Sequence, residues 1–390
     1  MNSYARLAAG FTRGDGAWLY DEKGNRFLDA LSGIAVCGLG HAHPAVSEAI
    51  SKQAGLLVHT SNLYEIPLQE QLASRLVALS GMTNAFFGNS GAEANEAAIK
   101  IARLHGNRQG ITEPVIIVME GSFHGRTLAT LSATGNSGLQ KGFEPLLGGF
   151  LRIPYNDLKA LEDLQEQSGQ IVAVLVEPIL GEGGIVVPDY GYLQGIRRIC
   201  DANGWLMMLD EIQTGMCRSG KWFACQHEQV VPDVMTLAKA LGNGFPIGTC
   251  LAHGMAADLI QPGSHGSTFG GNPLASRVAL TVLDTIEAQS LDRRAAILGE
   301  YMRKEFIENL NGQDGIKEIR GKGMMFGIEL DRPCAELVSR ALEENLLINV
   351  TAGNVVRLLP PLIISDAEAD QIVSTVCQLI KVFLSKPPGG

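Results

Sequence analysis

The stretch Asp233-Val-Met-Thr-Leu-Ala-Lys239-Ala-Leu-Gly-Asn-Gly-Phe-Pro-Ile-Gly248 decides how the chain is read. Val234 to Ala238 is a short apolar run and predicts a buried strand. The run ends at Lys239, and a loop broken by Gly242, Gly244, Pro246 and Gly248 follows. A lysine at the end of a buried strand is poorly placed for solvent. Desolvation disfavours its charged form and leaves a nucleophilic amine. Such an amine forms Schiff bases with aldehydes, and pyridoxal phosphate is the usual protein-bound aldehyde. A surface lysine that opens a loop fits this stretch equally well.

Upstream lies Gly204-Trp-Leu-Met-Met-Leu-Asp210-Glu-Ile-Gln213-Thr-Gly-Met-Cys-Arg-Ser-Gly220. Trp205 to Leu209 predicts another apolar strand with Asp210 at its end. Ligands of open α/β sheets bind at the carboxyl ends of strands. A pyridoxal phosphate enzyme needs an acid beside the ring nitrogen, because the protonated ring is the electron sink. Asp210 and Lys239 on two strand ends meet both needs. Together with NSGAEANEAAIK (89–100) and STFGGNP (267–273), the motifs LDEIQTGMCRSG and TLAKALGNGFPIG resemble those of class-III pyridoxal phosphate aminotransferases of fold type I. The resemblance runs from about residue 10 to the C-terminus.

Working outward, Ala17 to Tyr20 and Arg26 to Asp29 flank a turn, Asp21-Glu-Lys-Gly24-Asn, and predict a meander within 11–36. In Gly38-Leu-Gly40-His41-Ala-His43-Pro44 the two histidines lack a further His, Cys or carboxylate cluster, so they predict loop packing rather than a metal site. Pro44 opens a helix, and a second helix over 67–80 starts at Pro67 and stops at Gly81. After a strand at Ala85 to Phe87, Ser90 and Glu93 form an S-x-x-E capping box. The unpaired amides of that helix start favour a phosphate. An ordinary helix start reads the same way.

Val115 to Met119 predicts a strand, followed by Phe123, His124 and Arg126. An aromatic there can stack on a flat ring or simply belong to the core. A guanidinium there suits a carboxylate, which it binds bidentately. Ile171 to Val176 predicts a further strand ended by Glu177, with Glu182 in the glycine loop beyond. A helix over roughly 190–202 and a strand at Thr249 to Ala252 complete a repeating strand–helix–strand pattern, which argues for a mostly parallel sheet with helices on both faces. Leu274 to Ile286 begins a long helix. The strand patterns Met324 to Glu329 and Asn354 to Pro361 follow, and Arg357 in the second reads as a site arginine or a solvated strand-end charge.

The resemblance implies an α/β fold with a mostly parallel seven-stranded sheet plus a small α+β domain. It divides the chain into a segment 1–54 that joins the small domain, a large cofactor-binding domain 55–274 and a C-terminal small domain 275–390. Lys239 and Asp210 are the implied catalytic pair. Ser90, Gly91, Ala92, Phe123, His124, Gln213 and Thr268 join them as cofactor-binding residues, with Gly91 and Ala92 giving amides to the phosphate. Arg126, Glu182, Ser267 and Arg357 are the implied substrate-binding set. Ser267 and Thr268 are expected to complete the site of a partner subunit, which implies a homodimer. Glu182 is expected to cover Arg357 for one substrate and release it for the other. The implied reaction moves the terminal amine of N-acetylornithine to 2-oxoglutarate and leaves N-acetylglutamate semialdehyde and glutamate. Ornithine, succinylornithine, succinyldiaminopimelate and 4-aminobutyrate are the alternative donors, and a racemase or aminomutase on the same fold is the more distant alternative. Three positions depart from the family pattern: Cys37 where asparagine is common, Cys217 where glycine is usual, and Ser219 for threonine.

Composition sets the bounds. With 390 residues, 46% of them hydrophobic, the chain can bury a large core and predicts two or more domains. A net charge of −10 without a basic run argues against nucleic acid. No run approaches the ~18 apolar residues of a membrane span. Met1 to Gly16 shows no signal-peptide pattern, and seven scattered cysteines without a C-x-x-C pair predict reduced thiols in the cytoplasm. The 46 glycines suit many strand-to-helix turns with phosphate contacts. The tail 386–390 is expected to fray.

Overall fold

The computed structural model describes residues 1, 3–164 and 169–386; the rest of the tail, 387–390, lies outside the described residues. The core is a seven-stranded sheet. In spatial order its strands are Asn84–Gly88, Gly248–Ala252, Val234–Leu237, Leu206–Asp210, Ile171–Val176, Val115–Met119 and Phe150–Ile153. The five strands from Val234–Leu237 to Phe150–Ile153 run parallel to one another. Gly248–Ala252 runs antiparallel to both of its neighbours. The short connection from Lys239 to Gly248 explains this: it holds only one turn of 3-10 helix, Lys239–Leu241, and a parallel return needs a longer crossover.

Alternation along the strands feeds two apolar layers. Met207 and Leu209 belong to one core, Leu206 and Met208 to the other. The helix Tyr192–Asn203 seals the first layer through Leu193, Ile196 and Ile199. The helix Gly91–Arg108 seals the second through Ala97, Ala98, Ile101 and Ala102. Every residue of Ile171–Val176 is buried, as a strand covered on both faces requires. The parallel strands therefore end together, and Phe123, Glu177, Asp210 and Lys239 follow from one edge of the sheet.

The last hundred residues build a second sheet. It is antiparallel, in the order Ile316–Lys322, Met325–Leu330, Val355–Leu358, Asn349–Thr351. Helices Leu291–Leu310 and Asp366–Leu384 bury Phe306, Ile372 and Ile380 against it. The N-terminal meander, Arg13–Asp15, Trp18–Tyr20 and Arg26–Asp29, joins this end of the molecule through a parallel pairing of Leu28 with Leu346. The helix Pro67–Ser80 starts and stops as its sequence predicts, with Gly81 left-handed at φ 74°.

Candidate active site

A cavity of about 400 Å³ opens at the carboxyl edge of the central sheet. Lys239, Asp210, Gln213, Phe123, His124 and Arg126 line it, as do Ser90, Gly91 and Ala92 from the helix start and Glu182 from its loop. The sequence predicts a strand over Val234 to Ala238, but the strand stops at Leu237. Lys239 opens the 3-10 turn with φ 45°. A left-handed lysine is uncommon, and such backbone strain clusters at functional sites. Burial pulls the Lys239 amine below its ordinary value, although Glu182, Asp210 and Glu177 push it back up.

Asp210 is 3% exposed and fully bonded. Its Oδ2 accepts from His124 Nδ1 at 2.8 Å and from Asn95 Nδ2 at 2.8 Å, and its Oδ1 accepts from the Ile212 amide at 3.1 Å. Asn95 also donates to the His124 carbonyl and accepts from Thr236 Oγ1 at 2.7 Å. Thr236 lies on the strand that leads to Lys239, so one buried amide ties the acid to the strand of the amine. Asn95 was not singled out in the sequence; it lies on the buried face of the helix, where an asparagine needs partners.

At the helix start the Ser90 side chain accepts from the Glu93 amide at 3.2 Å. The expected capping box is only half formed. The Glu93 carboxylate reaches past Ser90 to the amide and side chain of Asn89. The Ser90 backbone is pressed against the neighbouring strand: a Cβ on Gly248 would stand 2.2 Å from its carbonyl oxygen, so only glycine fits there. The amides of Gly91 and Ala92 are left at the N-terminal end of an 18-residue helix, where an anion is favoured.

Arg357 is not a solvated strand-end charge. It stands inside Val355–Leu358 and its side chain is 0% exposed. Its Nη1 donates to Glu182 Oε1 at 2.6 Å and its Nε to Asn349 Oδ1 at 2.8 Å. The glycine loop around Glu182 is less free than its sequence predicts. Arg320 donates to the carbonyls of Gly184 and Ile185, and Thr351 bonds the Glu182 carbonyl. Freedom is left to the Glu182 side chain, which is 35% exposed. Arg126 is exposed at the cavity mouth, its guanidinium 5.5 Å from the centre of the Phe123 ring.

Glu177 is a site residue the sequence reading gave no role. It is buried, lines the cavity, and accepts from the Phe123 amide at 2.8 Å and the Gly181 amide at 3.1 Å. Burial and the nearby Asp210 charge push it up to about 7, against the pull of His124 and the two amides. A glutamate directly after a six-residue buried run was the available signal. Ser267 and Thr268 are not brought into this chain's cavity. Ser267 Oγ accepts from Asn89 Nδ2 at 3.3 Å and from the Gly270 amide at 3.0 Å, and Thr268 is exposed.

The residues fit pyridoxal phosphate. They supply an amine, a buried acid, an aromatic wall and an amide cradle. Gln213 Oε1 and His124 Nε2 are buried cavity-lining atoms with no protein partner, as expected of groups that await one. A seven-stranded mostly parallel sheet with these groups at its carboxyl edge defines a pyridoxal phosphate enzyme of fold type I. The chain belongs to the class-III aminotransferases, whose family profile matches residues 2–380. It is 59% identical over 384 residues to the acetylornithine aminotransferase of Nitrosomonas europaea, covering 98% of each chain. It is 54% identical to acetylornithine aminotransferase 1 of Bordetella pertussis over 99% of this chain and 98% of that one. Among solved structures, an ornithine aminotransferase from Toxoplasma gondii superimposes with a TM-score of 0.95 at 34% identity, covering 99% of this chain and 93% of that one. An acetylornithine aminotransferase from Elizabethkingia anophelis gives 0.87 at 36% identity, covering 97% and 95%.

Proposed function

We propose that the chain transfers the terminal amino group of N-acetylornithine to 2-oxoglutarate, with pyridoxal phosphate carried on Lys239. The observation that carries this reading is the Glu182–Arg357 pair beside Lys239, because it makes the second carboxylate site conditional. The identity of 59% to an acetylornithine aminotransferase, against 34% to an ornithine aminotransferase of closely similar shape, favours the acylated donor. Pyridoxal phosphate supplies an aldehyde that bonds the substrate amine and a ring that accepts the electron pair left behind by the departing proton. Lys239 takes that proton from the amine-bearing carbon and returns it on the other side of the exchange. Asp210 holds a proton at the ring nitrogen. With the cofactor bound, Phe123 would pack against its ring, Gln213 and His124 would supply polar contacts to it, and Ser90, Gly91 and Ala92 would hold its phosphate. Arg126 takes the carboxylate of N-acetylornithine. In this reading residues 55–274 hold the cofactor and the two chain ends close over it.

Amine donors incubated with 2-oxoglutarate, with glutamate formation followed, test the proposal. N-acetylornithine should give the highest kcat/KM, about tenfold or more above ornithine and 4-aminobutyrate, since one satisfied or unsatisfied polar group is worth 1–3 kcal/mol. A faster reaction with ornithine, succinylornithine, succinyldiaminopimelate or 4-aminobutyrate would move the chain to a sibling specificity.

Glu182 and Arg357 explain how one site accepts two unlike substrates. N-acetylornithine has no carboxylate beside its reacting carbon, so Glu182 neutralises Arg357. 2-Oxoglutarate brings that carboxylate and takes the place of Glu182. Glu182→Ala should therefore raise the half-reaction with glutamate and leave that with N-acetylornithine unchanged or weaker. Arg357→Ala should cost the 2-oxoglutarate half-reaction roughly 30-fold or more, the ~2–5 kcal/mol of truncating a buried charge pair. Single-turnover spectra of each half-reaction separate the effects, and equal damage to both in both variants would reduce the pair to a structural one.

The active unit in this reading is a cytoplasmic homodimer. Leu56, Leu57, Val58, Leu63, Tyr64 and Phe269 are exposed apolar side chains. The segment around Asn62 lies against the turn 267–270, because Asn62 bonds the carbonyls of Ser267 and Gly270. An exposed apolar face of that kind supports a protein interface. It carries Ser267 and Thr268, which stand outside their own cavity. Each of Lys239→Ala and Thr268→Ala should be weakly active alone. Mixed after mild dissociation, the two should recover about a quarter of the wild-type activity, since half of random twofold dimers are mixed and each has one intact site. Mixed dimers that form without regaining activity would exclude site sharing.

A further inference from the structure

Glu177 is a buried carboxylate on the cavity wall, and no step of the proposed transamination uses it. Its backbone is fixed to the sheet. It follows directly on Ile171–Val176, and Tyr155 Oη donates to its carbonyl at 3.1 Å and to that of Pro178 at 2.9 Å. Tyr155 in turn packs edge-on against Tyr192, with ring centres 5.2 Å apart. From this anchor the carboxylate reaches two separate elements. Oε1 takes the amide of Phe123 on the aromatic wall, and Oε2 takes the amide of Gly181 at the start of the Glu182 loop.

The loop is closed by a pairing of Leu180 with Val186, and Glu182 lies between them. Its far side is held by Arg320, at the carbonyls of Gly184 and Ile185. Its near side is held by Glu177. Gly181 is also pressed against a cofactor-site residue: a Cβ there would stand 2.4 Å from Gln213 Oε1. The next residue, Glu182, must place its carboxylate 2.6 Å from Arg357 Nη1, so the position of Gly181 decides whether it can. Among the described residues the Glu177 carboxylate bonds only the two amides and no cation. A buried carboxylate without a bonded cation is costly to keep. What it supplies and a neutral amide cannot is an acceptor at both ends.

We propose that Glu177 is a positioning residue for substrate selection: its carboxylate clamps the Glu182 loop to the Phe123 segment and so holds Glu182 where it covers Arg357. The inference rests on the proposed exchange of N-acetylornithine and 2-oxoglutarate at that pair. Glu177 acts through Glu182 and touches neither substrate. Glutamine at position 177 keeps the shape, but one end becomes an NH₂ donor. The shorter bond, 2.8 Å to the Phe123 amide, keeps the oxygen, and the Gly181 amide then faces a donor. The start of the loop is released, and Glu182 covers Arg357 for less of the time.

Glu177→Gln tests the clamp in the holoenzyme. Single-turnover rates with N-acetylornithine and with glutamate are compared at a pH well above the value of about 7 to which burial and Asp210 push Glu177. The ratio of the N-acetylornithine rate to the glutamate rate should fall about tenfold, toward that of Glu182→Ala. Combining the two substitutions should leave the ratio within about twofold of Glu182→Ala alone, because the first acts through the second. A loss that adds in full, or a ratio unchanged in Glu177→Gln while Glu182→Ala shifts it, overturns the inference and leaves the exchange standing. A ratio unmoved by Glu182→Ala overturns the exchange and the inference with it. Deuterium exchange of the cofactor-free protein gives a readout independent of turnover. One amide in 178–186 should exchange about tenfold faster in Glu177→Gln, with 121–125 unchanged, and the reverse pattern overturns the loop as the part released. If Glu177→Gln does not fold, Glu177→Asp, one methylene too short to span both amides, serves in its place.

Discussion

Lys239→Ala should lower kcat by ~10⁴-fold or more, the upper range for loss of a positioned acid–base group, while the protein still folds and still takes up pyridoxal phosphate. The backbone gives the control. Lys239 sits at φ 45°, and alanine has the same Cβ, so the strain at that position is unchanged by the substitution. What disappears is the amine alone. The rest of the cradle remains: the helix start at Gly91, the Asp210 network and the unpartnered Gln213 oxygen. Retention of cofactor with loss of turnover therefore separates chemistry from binding. Borohydride reduction of the parent enzyme supplies the second readout and should fix the cofactor to the peptide holding Lys239. Fixation to another lysine, or a variant within tenfold of the parent, would remove Lys239 from its role. The lowered affinity of this amine for protons points the same way. Burial opposes the charged form, so the neutral base is available at lower pH than for a surface lysine.

How much of this was legible without coordinates depended on whether a feature is local. Ile171–Val176 has the bounds its sequence predicts because an unbroken apolar run needs no partner to identify it. Pro67–Ser80 follows from punctuation at both ends. The direction of Gly248–Ala252 is carried not by the strand's own residues but by the shortness of the connection before it, a signal the sequence reading does not use. The two strand-end groups, Lys239 and Asp210, were readable because each follows an apolar run. Arg357 was left undecided between site and solvent. Its burial depends on Glu182, which arrives from another element 175 residues away. Asn95 and Glu177 were passed over because an asparagine inside a helix and a glutamate after a strand look ordinary until their partners are known. Ser267 and Thr268 reach no cavity in one chain, and only the family resemblance marks them.

Asp210→Asn should slow turnover by ~10²–10³-fold, which is the ~2.7–4 kcal/mol attached to one preorganised electrostatic contact. The substitution keeps the shape and removes the charge that holds a proton at the ring nitrogen. The network makes the change more than a charge loss. Asp210 Oδ2 accepts from both His124 and Asn95, and Oδ1 accepts from the Ile212 amide. All three partners donate, so an amide NH₂ in either orientation faces a donor. One bond must be lost at a cost of about 1–3 kcal/mol, unless a partner changes its role. His124 can do so. Its Nε2 has no protein partner, so its proton can move there and leave Nδ1 to accept. Asn95 is held in its orientation by Thr236 and the His124 carbonyl and cannot turn without breaking those bonds. With the amide nitrogen toward His124 the Asn95 donor still faces it, so one bond is lost in either orientation and the variant should fold but lose about 1–3 kcal/mol of stability. Thermal unfolding of the variant checks that point. Its single-turnover rates should fall together in both half-reactions, because the electron sink serves both, in contrast to the one-sided damage expected at Arg357. Near-normal turnover would place the ring proton under the control of another group. A loss confined to one half-reaction would mean that Asp210 acts on substrate and not on the ring.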